Sequence, residues 1–129
     1  MAQANLKQIA DHAVVINDLF DDALPKLLPE LEHRVDLVYI DGQHDYEATL
    51  DYFERLAPFL KDGALLIFDD IHWSAGMWQA WLDLQKRARL SYTIDAGRVG
   101  ICGWDSASAA PKNYSISLFT GWRTRSPNQ

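Results

Sequence analysis

The stretch Val35-Asp36-Leu37-Val38-Tyr39-Ile40-Asp41-Gly42-Gln43-His44-Asp45 decides how this chain folds, together with its echo Gly63-Ala64-Leu65-Leu66-Ile67-Phe68-Asp69-Asp70-Ile71-His72-Trp73. Each begins as an apolar run of strand length and stops on a carboxylate, the pattern of a parallel strand covered on both faces and delivering a polar group at its carboxyl end. Between them, Asp45 to Leu60 places Tyr46, Leu50, Phe53, Leu56 or Ala57, and Leu60 at helical spacing along one face. Lys61-Asp62-Gly63 then supplies a helix stop. Strand, helix and strand in this order predict βα units and a largely parallel sheet.

The same rhythm extends outward. Upstream, Ala13 to Ile16 predicts a strand ended by Asn17-Asp18, and a helix is expected from Asp21 to Glu32, its acidic first turn matched to the helix dipole. Pro25 suits a first turn, whereas Pro29 predicts a kink or break. Downstream, Ile71-His72-Trp73-Ser74 leads into a helix carrying Met77, Trp78, Trp81, Leu82 and Leu84. Two short strands, Ser91 to Ile94 and Val99 to Trp104, are joined by Asp95-Ala96-Gly97-Arg98 and predict an antiparallel hairpin at one edge of the sheet. Ser106 to Lys112 reads as a loop and Tyr114 to Phe119 as a last strand. The glycines of Gly97-x-x-Gly100-x-x-Gly103 fall within the hairpin with no helix after them, so they are turn and strand glycines, not a nucleotide loop.

A chain of 129 residues, 48% hydrophobic and 12% aromatic, is enough for one domain spanning residues 1–129 around one core. Its apolar runs fall far short of the ~20 residues of a membrane span, and Met1 to Gln8 has no signal-peptide pattern. A cytoplasmic location is expected. A net charge of −6 sets the chain against nucleic acid and anionic membrane partners, whose binding needs clustered cations. The short basic groups Lys86-Arg87 with Arg89, and Arg123 with Arg125, are expected on solvated surface. The single cysteine, Cys102, lies in an apolar stretch and reads as a buried structural thiol.

Chemistry is expected at the carboxyl ends of the strands, where loop groups and helix N-termini converge. Asp41 ends one strand and Asp69-Asp70 the next, and adjacent strands lie ~4.8 Å apart. Two readings of these carboxylates stand: ligands of a hard cation such as Mg²⁺, or caps of helix starts and turns. His44 is either a surface residue at a helix start or a base that takes a proton from a substrate hydroxyl. His72 has a similar case, with packing against Trp73 as its alternative. Trp73, Trp78 and Trp81 either line an aromatic pocket or, as the spacing of the last two favours, pack in the core.

On the motifs Val-Asp-Leu-Val-Tyr-Ile-Asp-Gly-Gln-His and Phe-Asp-Asp-Ile-His-Trp, their separation, and the closing Ile-Asp-x-Gly-x-Val-Gly-Ile stretch, residues 5 to 104 resemble the second half of class I S-adenosylmethionine-dependent methyltransferases. The resemblance implies an α/β, partial Rossmann-like sheet, mostly parallel with an antiparallel C-terminal hairpin. The family's strand order is 3-2-1-4-5-7-6, and strands 3 to 7 are the ones implied here. It further implies S-adenosylmethionine as cofactor and a small-molecule methyl acceptor, with O-methyl transfer as the reaction. By analogy with metal-dependent members, Asp41, Asp69 and Asp70 would be Mg²⁺ ligands and His44 the base. Asp18, after strand 3, would face the adenine.

The family's Gly-x-Gly-x-Gly loop after strand 1, and the acidic residue after strand 2, have no counterpart in this sequence. Two expectations follow: a methyltransferase inactive as a fragment, or a non-catalytic subunit pairing with a separate N-terminal half. Met1 falls inside what would be the helix before strand 3, so truncation of a longer domain is expected. Without strands 1 and 2 the strand ending at Asp41 keeps a bare apolar edge, which invites pairing with a second copy. A receiver-like phospho-acceptor domain also clusters Asp residues at strand ends, but there the acidic pair precedes the single Asp, the reverse of the order here.

Overall fold

A computed structural model describes residues 10, 12–32, 34–117 and 121–124. The chain divides into two compact units, Met1–Glu30 and Leu31–Gln129. In the first, residues 13–17 form no strand, which corrects the strand expected at Ala13 to Ile16. An extended segment is held as a strand only by a hydrogen-bonded neighbour, and no ladder forms here. Helix α1 spans Phe20–Leu31 and runs through both Pro25 and Pro29 without interruption. The break expected at Pro29 is therefore absent.

The second unit is built on β1 (Val35–Ile40), β2 (Leu60–Phe68), β3 (Leu90–Asp95), β4 (Gly100–Trp104), β5 (Lys112–Ser117) and β6 (Gly121–Thr124). They form a single sheet in the order β1-β2-β4-β3-β5-β6. Strands β1, β2, β3 and β5 run one way, while β4 and β6 run against their neighbours. The sheet is thus mostly parallel in strand direction with an antiparallel β3–β4 hairpin. If β1 to β4 are the family's strands 4, 5, 6 and 7, the segment β1-β2-β4-β3 reproduces its order 4-5-7-6. The hairpin is not an edge, however, because β5 pairs in parallel with β3 from Tyr92↔Lys112 to Asp95↔Ser115. The strand expected from Tyr114 is β5, which begins two residues earlier, at Lys112, and Leu118 and Phe119 lie outside the described residues.

Helix α2 (Tyr46–Leu56) starts where Asp45 caps it, its carboxylate accepting from Ala48 N at 2.8 Å. This is the hydrogen bond that the orphan amides of a first turn require. A 3-10 turn, Ala57–Phe59, follows and passes directly into β2. Helix α3 (Ala75–Leu84) is capped in the same way by Ser74, which accepts from Met77 N at 3.0 Å. The two helices pack on each other and bury Phe53, Leu56, Met77, Ala80, Trp81 and Leu84.

The alternation of β2 sends Ala64, Leu66 and Phe68 into this core, as period-two side chains must be if one face is covered. Cys102 is fully buried, and burial pushes its thiol pKa well above the ordinary value. β1 departs from the sequence reading, since Leu37 and Tyr39 are more than half exposed. One face of this strand is open, not covered on both sides.

Candidate functional site

The carboxyl ends of β1 and β2 lie side by side, with Ile40 paired to Phe68 and Asp69 N donating to Ile40 O at 3.0 Å. Asp41 and Asp69 follow directly on that last paired rung. The loop after β1 returns through His44 to the cap of α2, and the loop after β2 returns through His72 and Trp73 to the cap of α3. Ser74 fastens the two loops together by donating to His44 O at 3.2 Å.

Asp69 is the most enclosed of these acids, 6% exposed. Burial alone would raise its pKa. Hydrogen bonds from Asp70 N, Arg98 and the Tyr39 hydroxyl outweigh it and hold the carboxyl below the ordinary 3.8. The same contact raises the pKa of Tyr39, chiefly through desolvation and then through the bond to Asp69. Asp70 has a left-handed backbone, φ 51°, a conformation that Asp tolerates better than most residues. Arg98 spans the pair: its Nε lies 2.7 Å from Asp70 Oδ1 and 3.3 Å from Asp69 Oδ1.

A group whose folded pKa is depressed contributes stability above its unfolded value and loses it as pH falls through the folded one. Asp69 is such a group. The melting temperature of the wild type is therefore expected to exceed that of Asp69→Asn most at neutral pH. The gap should narrow as pH drops below about 4, and thermal melts followed by circular dichroism would show this. A gap that stays constant into strong acid would mean that the charge of Asp69 contributes nothing.

Two histidine–carboxylate pairs flank this centre. His44 Nε2 lies 3.6 Å from Asp41 Oδ1, with the imidazole 21% exposed. The distance is beyond an ordinary hydrogen bond. His72 Nε2 lies 3.3 Å from Asp95 Oδ1, and its ring stacks on Trp78 with centroids 4.4 Å apart. Asp95 is itself buried and also accepts from Gly97 N at 2.9 Å. That bond shapes a turn in which Gly97 has φ 87°, a region glycine enters without steric cost.

Of the three tryptophans, Trp81 is fully buried as core packing predicts, while Trp73 is 72% exposed and faces His44 with ring centroids 6.2 Å apart. Core packing is thus the wrong expectation for Trp73. Asp18 belongs to the first unit. Its carboxylate accepts from Leu19 N and Lys26 Nζ, each at 3.0 Å, and the hydrogen bond from Lys26 lowers its pKa. Tyr39, Asp95 and Arg98 also meet these groups and are not singled out by the sequence reading. Arg98 carries no local signal, since it reaches the acids only after the hairpin folds back.

Among the described residues no group of three or more His, Cys, Asp or Glu side chains converges to hold a metal ion. Asp41 faces His44, and Asp69 with Asp70 faces Arg98, so these carboxylates as arranged do not fit a divalent cation. A hollow of about 740 Å³ lined by Ala57, Pro58, Leu60, Lys61, Arg89 and Trp104 lies at the opposite end of β2. In it Lys61 is tied to Asp36 and Asp62 to Ser106. The strand ends are the better candidate.

The family described as "Methyltransferase domain" matches residues 1–71, more than half of the 129. The chain belongs to this methyltransferase family. Both carboxylate-bearing strand ends, Asp41 and Asp69-Asp70, lie inside the matched segment, while Asp95 and Arg98 lie beyond it. The chain is also similar to an uncharacterized protein of Acanthamoeba polyphaga mimivirus, 29% identical over 51 residues, which is 40% of this chain and 23% of that protein. It thus spans well under two thirds of that relative. No solved structure matches the chain. No helix among the described residues is long and apolar enough to cross a membrane.

Proposed function

We propose that the strand ends of this methyltransferase chain form the acceptor side of an O-methyl transfer site for a small hydroxylated molecule, with His44 as the base. The observation that carries the reading is the placement of His44, one-fifth exposed and paired with Asp41, on the loop bound through Ser74 to the loop of Asp69 and Asp70. S-adenosylmethionine, when bound, supplies an electrophilic methyl group on a sulfonium. The residues of this chain supply the other half of the chemistry.

A neutral imidazole at His44 takes the proton of the acceptor hydroxyl, and the Asp41 carboxylate favours the imidazolium that results. The exposed indole of Trp73, beside His44, offers an apolar face against which the acceptor is oriented. Holding the acceptor oxygen in line with the methyl group accounts for much of the rate gain in such reactions. The cofactor loop and the ribose-binding acid of the family have no counterpart in the sequence, and Asp18 is already engaged by Lys26. No contact to the cofactor is therefore assigned.

Calorimetric titration of the folded chain with S-adenosylmethionine, with and without Mg²⁺, tests the reading. Saturable binding, followed by transfer of labelled methyl to a hydroxylated acceptor from a small-molecule panel, would support the reading. No heat from a folded sample would mean that this chain needs a second polypeptide to complete the site. Transfer to an amine or thiol instead of a hydroxyl would overturn the O-methyl assignment. We propose that a second copy would pair along β1, the end strand of the sheet among the described residues.

A further inference from the structure

We propose that Arg98 is the resident cation of the Asp69–Asp70 pair, and that a divalent ion must displace its guanidinium to bind there. An ionised carboxylate offers about four lone-pair sites. Those of Asp69 are already addressed by Asp70 N at 3.0 Å, Arg98 Nε at 3.3 Å and Arg98 Nη2 at 3.4 Å, and by the Tyr39 hydroxyl. Asp70 has Nε 2.7 Å from one oxygen as an ion pair and accepts from Nη2 at 3.3 Å on the other. One planar guanidinium thus serves both acids through two of its nitrogens, the geometry for which arginine is suited and lysine is not.

The base of that side chain is also held. Ile71 N, next to the acids, donates to Arg98 O at 3.0 Å, so the strand end and the hairpin turn are joined through backbone as well as charge. Two adjacent carboxylates without a cation repel, and one of them would tend to keep its proton. Here Asp69 is held below the ordinary carboxylate range. A divalent ion added beside the guanidinium would set three positive charges against two negative ones. It would also have to compete for lone pairs that already have donors, and Mg²⁺ gives up its own water reluctantly. The exposed outer face of Arg98 makes this a competition, not a seal: the ion and the side chain exclude each other.

This inference concerns the same strand ends as the methyl-transfer reading but does not need it, because ion occupancy is measured without turnover. The probe is Mn²⁺, followed by the loss of its free electron-paramagnetic signal on titration into the whole chain at neutral pH and low salt. Wild type is expected to leave Mn²⁺ free at concentrations where Arg98→Met takes up one equivalent, the variant binding at least about tenfold tighter. Adding Asp69→Asn to Arg98→Met should abolish that uptake.

The proposal falls if wild type holds one Mn²⁺ that Asp69→Asn removes, or if folded Arg98→Met binds no tighter than wild type. Should Arg98→Met fail to fold, Arg98→Lys keeps the question open to decision. Lysine retains the charge but cannot span both acids, so it is expected to admit Mn²⁺ more tightly than wild type, and equal affinities would overturn the proposal.

Discussion

Gly100→Ala is expected to destabilise the chain by about 1–3 kcal/mol, as overpacking of a close-packed core does. A Cβ at this position would lie 2.5, 2.7 and 2.8 Å from Cζ3, Cη2 and Cε3 of Trp81, closer than any real contact. Trp81 cannot step aside, because it is fully buried and packs against Phe68 with ring centroids 6.3 Å apart. The strand cannot step aside either, since Gly100 is paired to Phe68 on one side and Asp95 on the other. Urea denaturation measures the effect. The sharper test is the double variant: phenylalanine carries one ring where tryptophan has two, so Gly100→Ala should cost less in a Trp81→Phe background. Strict additivity would show that the two positions do not share the strain.

The second large effect is on chemistry. His44→Ala is expected to lower methyl transfer ~10²–10⁴-fold, the contribution of a positioned general base, while leaving the melting temperature and the affinity for S-adenosylmethionine close to those of wild type. His44 is bonded to the rest of the site through its backbone carbonyl, which alanine retains, so the fold is not at risk from this change. The loss should shrink at high pH, where the acceptor hydroxyl ionises without help. A variant as active as wild type across the pH range would remove His44 from the mechanism and leave His72, oriented by Asp95, as the base to examine.

How much of this was legible in the sequence depends on how local the cause was. Val35 to Ile40 is a strand with the boundaries expected, because the apolar run and the Asp41-Gly42 stop lie next to each other in the chain. Asp45 and Ser74 cap helices for the same reason. The Ala13 to Ile16 segment has the composition of a strand but no ladder, and composition carries no record of whether a neighbour is present. Leu37 and Tyr39 look like buried strand residues yet are exposed, since periodicity cannot say which faces of a sheet are covered.

The site shows the same division. Asp41, Asp69 and Asp70 were candidates because they follow strand ends, and His44 because it lies just after one, properties visible in the motif. Their partners were not. Arg98 is 28 residues from Asp70 and Asp95 is 23 from His72, and nothing in the turn Asp95-Ala96-Gly97-Arg98 announces which loop it will meet. The spacing of Trp78 and Trp81 says nothing of Trp73, which precedes the Ser74 cap and is 72% exposed.

The turn between β3 and β4 touches the loop after β2 through Ile71 with Arg98, His72 with Asp95, and Arg98 with both acids. These contacts close a circuit of chain that contains all of α3 and β3. Contacts between residues far apart in sequence carry the entropy of closing the intervening loop, and that loop becomes short only when α3 has docked and β3 has found its place in the sheet. The carboxylates therefore acquire their orientation late in folding. A chain caught earlier would carry the same acids in water, without the guanidinium that holds them. In this protein the placing of the acids against Arg98 is tied to the docking of α3 and β3.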